Sequence, residues 1–113
     1  DPAFLKKYDL STLRHLFLAG EPPDETTAQW IAEALDKPIY DHYWQTETGW
    51  ALLTGLPGIE NHPTKFGSPS FPAYGYDVRL LHEETAEEVP ANEKGVVAVV
   101  PPLPASVRAM RIP

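Results

Sequence analysis

A short run of polar and aromatic residues, 41–49, has the residue types of a ligand-binding segment. It places two aromatic rings beside an amide, two hydroxyls and a carboxylate, and a glycine ends the run. Aromatic faces can stack on a flat ring, Gln45 and Thr46 offer hydrogen bonds, and Glu47 offers the hard oxygen ligands that Mg²⁺ prefers. The same residue types also occur in ordinary strands and turns, so the run alone leaves a structural role open.

The segments before this run predict that it lies at the carboxyl end of a strand. Residues 15–19 form a continuous apolar run, which is typical of a strand buried on both faces. Asp24 is placed to cap a helix over residues 24–35, whose apolar residues recur at helical spacing. A second short strand follows over residues 38–41. This strand–helix–strand order favours two parallel strands with a right-handed crossover, and open α/β sheets bind ligands at the carboxyl ends of such strands.

The second half of the chain predicts antiparallel β structure. Residues 55–65 have the glycines and prolines of a surface loop, and residues 67–72 have those of a rigid turn. Polarity alternates over residues 76–81, and residues 95–100 carry the β-branched run of the clearest strand. The acidic residues 82–94 between them indicate a solvated hairpin loop. The predicted fold class is α/β, with a βαβ unit of a mostly parallel sheet followed by an antiparallel β portion.

Composition excludes several classes of function. The chain has 113 residues, is 42% hydrophobic and 22% charged, and carries a formal charge of −7. This acidic balance argues against nucleic acid as a partner, because nucleic-acid binders need a basic face. The absence of cysteine excludes disulfides, thiolate catalysis and Cys-based zinc sites. No apolar run reaches the length of a membrane span. We expect a protein of the cytoplasm, or of the mitochondrial matrix in a eukaryote.

Several segments, taken in order, resemble the AMP-forming acyl-CoA synthetases, which are adenylate-forming enzymes. These are Leu-Ala-Gly-Glu-Pro at 18–22, Tyr-Trp-Gln-Thr-Glu-Thr-Gly at 43–49, Gly-Ser-Pro at 67–69 and Tyr-Asp-Val at 76–78. The resemblance covers about residues 8–111 and is strongest to the short-chain branch, the acetyl-CoA and propionyl-CoA synthetases. It implies that the chain is a central piece of the large N-terminal domain, the AMP-binding domain, of such an enzyme.

The resemblance implies a nucleotide site built from two segments. In the family, the Gly-Glu-Pro segment and the aromatic segment line the adenine, so Tyr43 is expected to cover the adenine face with Gln45 beside it. Thr46 matches the threonine that hydrogen-bonds the α-phosphate. The residues implied to bind the nucleotide are Gly20, Glu21, Pro22, Asp41, His42, Tyr43, Trp44, Gln45 and Thr46.

The resemblance also implies a reaction and its substrates. Family members join a carboxylate to ATP, release pyrophosphate and form an acyl-adenylate, from which CoA displaces AMP. Thr46 and Glu47 are the implied catalytic residues, with Glu47 as the Mg²⁺ ligand. Ala19 and Trp44 match positions of the acyl pocket, where a bulky indole excludes long chains and a small alanine favours propionate over acetate. The implied partners are therefore ATP, a short-chain carboxylate and CoA.

Parts of the family's machinery have no counterpart in this sequence. They are the phosphate-gripping loop rich in Ser, Thr and Gly, the ribose-binding Asp, the hinge and the C-terminal domain with its catalytic Lys. The chain starts at Asp1 rather than Met, and we expect a fragment. It divides into an α/β nucleotide-site portion at residues 1–54, a loop at 55–72 and an antiparallel β portion at 73–113. Such a fragment is expected to be inactive by itself, and its cut sheet edges favour self-association.

Two other functional classes remain open at this point. The first is a binding module without enzymatic activity, which would use the aromatic run to hold a partner or a small molecule. The second is a hydrolase with Glu21 and Glu47 as an acid–base pair. Glu21 precedes Pro22 in a stiff turn and no sugar-stacking platform is defined, so the sequence favours the hydrolase least.

Overall fold

The computed structural model describes residues 2–105, and its first half is the strand–helix–strand unit that the sequence predicts. A short helix, α1, spans Pro2–Leu5 and precedes the unit. The unit itself consists of β1 at Leu16–Ala19, α2 at Glu25–Leu35 and β2 at Ile39–His42. β1 and β2 are parallel neighbours over their full lengths. The predicted α/β class is therefore confirmed.

α2 is capped at its N-terminus by Asp24 and at its C-terminus by Asp36. The Asp24 carboxylate accepts a hydrogen bond from the Thr27 backbone N–H at 2.9 Å, which satisfies one of the first amides of the helix. At the other end, Asp36 has φ 51°, and the N–H groups of Asp36 and Lys37 donate to carbonyls of the last turn. Between these ends, Ala28 is buried. The predicted helix and its cap are thus confirmed.

The second half of the chain is antiparallel, as predicted, and it forms two strand pairs. β3 at Leu53–Thr54 pairs with β4 at Phe71–Pro72. β5 at Asp77–Leu81 pairs with β6 at Val96–Val100 along all five residues. The prediction of a rigid turn over residues 67–72 is wrong for the last two residues, because they form β4. A strand as short as β4 forms only because β3, which is distant in sequence, pairs with it. Local sequence propensity does not predict such a strand.

The core is small, and β1 is less buried than predicted. The buried side chains come from α2, β2 and the segments around β3 and β4: Ala28, Ile39, Ala51, Leu52, Thr54 and Ala73. Phe17 in β1 keeps 46% of its surface exposed, so the expectation of burial on both faces is wrong. The physical reason is that the Phe17 ring contacts the rings of its strand neighbours and borders an open apolar groove, so no second layer covers that face within residues 2–105. No helix in that part of the chain has the length and apolarity that crossing a membrane requires.

Candidate functional site

The register of β1 and β2 brings the two predicted nucleotide segments to one edge of the sheet. Ala19 and His42 end their strands and are paired with each other. The Gly-Glu-Pro segment therefore leaves β1 beside the point where Tyr43 leaves β2. The predicted end of the second strand is corrected by one residue, because pairing with Ala19 carries β2 as far as His42. Glu21 and Pro22 are exposed at this edge.

The loop that follows β2 is closed at its base by backbone hydrogen bonds. The Tyr43 N–H donates to the Leu53 carbonyl at 3.0 Å, and the Leu52 N–H donates to the Tyr43 carbonyl at 2.8 Å. Tyr43 and Leu53 form an isolated antiparallel bridge. Residues 44–51, called the site loop from here on, are therefore held like the tip of a hairpin.

A 3-10 helix at Thr46–Thr48 gives the site loop its internal structure. The Gln45 N–H donates to Thr48 Oγ1 at 3.1 Å, and the Thr48 N–H donates back to the Gln45 carbonyl at 3.0 Å. Thr48 Oγ1 also lies 2.7 Å from the Gln45 carbonyl and 2.8 Å from the Trp50 carbonyl, and its single proton serves one of them at a time. Gly49 ends the helix at φ 65°. The conformation of the site loop is thus held by hydrogen bonds within the loop.

These bonds hold the turn and leave the two predicted catalytic side chains accessible. Thr46 and Glu47 are both exposed. Neither side chain is hydrogen-bonded or ion-paired to another group within residues 2–105. A hydroxyl and a carboxylate therefore project from a fixed backbone. Groups arranged in this way bind a ligand without first breaking internal bonds, which lowers the cost of association.

The Glu47 carboxylate fits a magnesium ion that arrives with a nucleotide. Within residues 2–105 there is no group of three or more His, Asp or Glu side chains suited to hold a metal. Mg²⁺ keeps several of its waters and is bound through one or two carboxylates together with substrate phosphates. One accessible carboxylate meets that need. Glu47 therefore suits a metal bound jointly with ATP rather than one held by the protein alone.

The two aromatic residues at the start of the site loop differ in how firmly they are held. The Gln45 side-chain amide donates to Tyr43 Oη at 3.2 Å, which restrains the hydroxyl end of the half-buried Tyr43 ring. Trp44 remains 50% exposed, and Ala19 is also exposed. The site therefore offers one anchored ring and one accessible indole, an arrangement that suits a flat heterocycle.

Asp41 and His42 point to opposite faces of the sheet, as neighbours in a strand must. Asp41 lines a pocket with Ile39, whereas His42 lines an apolar groove with Phe17 and Trp50. Burial raises the pKa of the Asp41 carboxyl and lowers the pKa of the His42 imidazole, which favours the neutral ring at pH 7. The structure therefore does not bring these two predicted side chains together, and only one of them can face a ligand on a given side.

One contact to the site loop was not predicted from the sequence. The Tyr76 hydroxyl donates to the Thr48 carbonyl at 2.7 Å, although 28 residues separate the two. No local pattern signals a bond over such a separation. Thr48 was also not among the predicted site residues. The sequence does contain a pattern that could have identified Thr48. It lies three residues after Gln45, which is the spacing of a capping box at the N-terminus of a helix.

Comparison with protein families and with known proteins shows what this chain is similar to. The model of the AMP-binding enzyme family matches residues 1–105. The propionate–CoA ligase of Escherichia coli (strain K12) is 51% identical over 102 residues, which are 90% of this chain and 16% of that protein. Acetyl-coenzyme A synthetase 1 of Candida albicans is 41% identical over 111 residues, which are 95% of this chain and 16% of that protein. The chain thus spans 16% of the length of these curated relatives.

A solved structure is similar to the chain in both fold and sequence. It is the crystal structure of an anthranilate–CoA ligase in complex with anthranoyl-AMP. The two superimpose with a TM-score of 0.71 at 30% identity, over 82% of this chain and 17% of that chain. A likeness at this level supports the arrangement of helices and strands described above.

Proposed function

Because the chain belongs to the AMP-binding enzyme family, we propose that it forms part of an AMP-forming short-chain acid–CoA ligase. Such a ligase converts a carboxylate, ATP and CoA into acyl-CoA, AMP and pyrophosphate through an acyl-adenylate. The observation that carries the proposal is the pairing of Ala19 with His42, because it puts both candidate nucleotide segments at one edge of the sheet. The relatives named propionate–CoA ligase and acetyl-coenzyme A synthetase support the same reaction class.

The accessible groups at this edge have distinct roles in the proposed reaction. The Tyr43 ring, which Gln45 holds in place, lines the adenine together with the Gly-Glu-Pro segment. Thr46 donates its hydroxyl to an α-phosphate oxygen, and Glu47 is the Mg²⁺ ligand. When bound, the metal neutralises negative charge on the phosphates. The fixed backbone of the site loop aims these groups at the place where charge develops, which is the principal way such sites lower a barrier.

We infer propionate as the acid, with acetate as the second candidate. The propionate–CoA ligase relative is 51% identical, and the acetyl-coenzyme A synthetase relative is 41% identical. Ala19 is a small residue at the edge where β1 ends, and Trp44 is a bulky residue on the site loop. A small side chain leaves space for one more methylene of the acid, which is worth about 0.8 kcal/mol or about fourfold in preference. The indole limits longer chains by steric overlap.

Acid-dependent exchange of labelled pyrophosphate into ATP by the full-length protein tests the proposal. We expect exchange with propionate and with acetate, no exchange without an acid, and release of AMP once CoA is added. Removal of Mg²⁺ with a chelator should abolish the exchange. A full-length protein that shows no exchange with any short-chain acid contradicts the ligase proposal. Binding of a protein partner without nucleotide contact would then favour the binding module.

A further inference from the structure

We propose that Tyr76 is a positioning residue that holds the backbone from which Thr46 and Glu47 project. Its role in catalysis rests on the proposed ligase function, but the contact itself is a feature of the fold. The Tyr76 hydroxyl donates to the Thr48 carbonyl at 2.7 Å, which is an ordinary length for such a bond. The Tyr76 side chain is half-buried and so shielded in part from competing water.

The Thr48 carbonyl needs a donor from outside the 3-10 helix. The last carbonyls of a helix have no partner within it. The Gly49 N–H, which follows directly, is already bonded to the Thr46 carbonyl at 3.2 Å. The Tyr76 hydroxyl supplies the bond that the turn itself cannot make. It therefore acts on the end of the same turn that carries the two accessible catalytic side chains.

Tyr76 is itself fixed relative to the base of the site loop. Its N–H donates to the Ala73 carbonyl at 3.2 Å, which closes a four-residue turn. Gly75, at the third position of this turn, has φ 95°, a positive value that a type II turn requires there. Ala73 is 3% exposed, and its N–H donates to the Leu52 carbonyl at 2.8 Å. The ring of Tyr76 thus extends from a buried segment that is bonded to the loop's own base.

The site loop is consequently held at its base by Leu52 and Leu53, inside by Thr48, and at its turn by Tyr76. Without the Tyr76 bond the end of the turn frays, and the phosphate-side groups must be ordered when the nucleotide binds. That ordering weakens nucleotide binding. Because β5 starts at Asp77, the residue after Tyr76, this contact also joins the antiparallel half of the chain to the site.

Tyr76→Phe in the full-length protein tests the proposal, with Tyr74→Phe as the matched control. Tyr74 lies in the same turn, but its hydroxyl donates to Glu60 and not to the site loop. We expect amide hydrogen exchange in residues 46–49 to accelerate about threefold to tenfold in Tyr76→Phe, and not in Tyr74→Phe. In the pyrophosphate-exchange assay, the KM for Mg·ATP should rise by a similar factor while the KM for the acid stays constant.

Hydrogen exchange keeps this proposal distinguishable from the ligase proposal. Unchanged exchange at residues 46–49 in Tyr76→Phe overturns the positioning role, whatever the activity. Accelerated amide hydrogen exchange in a full-length protein without acid-dependent pyrophosphate exchange supports the positioning role of Tyr76. The same result overturns the proposal that the protein is a ligase. If Tyr76→Phe does not fold, Gly75→Ala displaces the same turn and should accelerate hydrogen exchange at residues 46–49 to the same extent. Equal acceleration in Tyr74→Phe would overturn the proposal.

Discussion

Ala19 and His42 are paired at the ends of two parallel strands, and this pairing decides where the candidate site lies. β1 passes into the Gly-Glu-Pro segment and β2 passes into the site loop, so the two segments share the carboxyl edge of the sheet. Ala19 is exposed at this edge, and Trp44 follows two positions after His42. The effect of the Ala19 side-chain size on acid preference can therefore be tested directly.

We expect Ala19→Val in the full-length protein to move acid preference from propionate towards acetate. The two added methyl groups fill the space that the extra methylene of propionate would occupy, so the ratio of kcat/KM values should change about fourfold. The measurement is kcat/KM for propionate and for acetate in the pyrophosphate-exchange assay. Ala91→Val, in the exposed hairpin loop, is the control and should leave the ratio unchanged.

We expect Trp44→Gly to admit acids longer than the unmutated enzyme accepts, because the substitution removes the bulk of the indole. Kinetics on a series of acids from acetate to octanoate measure the effect. Equal use of propionate and octanoate by the unmutated enzyme would contradict the role assigned to this side chain.

The isolated chain should form no acyl-CoA, and its binding of ATP should be weak. It spans 16% of the length of its curated relatives, so we expect its two candidate nucleotide segments to make only a few of the contacts that hold ATP. Titration calorimetry with Mg·ATP measures the binding, and a coupled assay for AMP measures turnover. Turnover by the purified chain would show that the two segments suffice, which the proposed division of roles does not allow.

The parts of the fold that local chemistry determines were predictable from the sequence. Asp24 identifies the start of α2, and the apolar runs identify β1 and β6, because capping and periodicity are properties of neighbouring residues. The short β4 and the Tyr76–Thr48 bond were not predictable, since each depends on a partner far along the chain. Burial of Phe17 was overestimated because an apolar run does not reveal whether a second layer covers each face of the strand.

The candidate site was predictable in its residue types and less so in its geometry. The aromatic run indicates a ligand segment, but alternation along β2 is what sends Asp41 and His42 to opposite faces. Likewise, the accessibility of Thr46 and Glu47 follows from a turn that Thr48 and Gln45 close. Those bonds depend on the folded path of the loop, which the residue types alone do not determine.

Arg79 should be the group that holds the Asp77 carboxyl in its charged form. Its Nε and Nη2 lie 3.0 and 2.8 Å from the two Asp77 oxygens, and this hydrogen bonding lowers the carboxyl pKa below its ordinary value of 3.8. Because the folded pKa lies below the unfolded one, the pair stabilises the fold above that ordinary value. The contribution is lost as pH falls through the folded pKa.

We expect Arg79→Met to raise the Asp77 pKa towards 3.8, as measured by NMR titration of the carboxyl carbon. The free energy of unfolding should then depend less on pH in the acid range. Lys94→Met serves as the control, since it removes a positive charge elsewhere in the hairpin. An Asp77 pKa that is the same with and without Arg79 would show that the pair is not formed in solution.

Gly55→Ala should destabilise the chain, whereas Gly58→Ala should not. A Cβ at the buried Gly55 would collide with the ring of Tyr40, and that ring is stacked on Phe17 with 5.3 Å between centroids. Gly58 faces open space. Overpacking of this kind costs about 1–3 kcal/mol in the free energy of unfolding. Urea denaturation of the two variants measures the difference, and coincident midpoints would mean that the Tyr40 ring does not occupy this position.

We propose that the edge defined by Ala19 and His42 binds an adenylate and that Glu47 is its metal ligand. The most direct measurement is acid-dependent pyrophosphate exchange by full-length Glu47→Gln, compared with Glu93→Gln, an exposed glutamate of the hairpin loop. An amide is a poorer Mg²⁺ ligand than a carboxylate. We expect Glu47→Gln to remain folded and to lose about a hundredfold in exchange rate, with Glu93→Gln unaffected. Unchanged pyrophosphate exchange in Glu47→Gln would show that Glu47 is not the metal ligand.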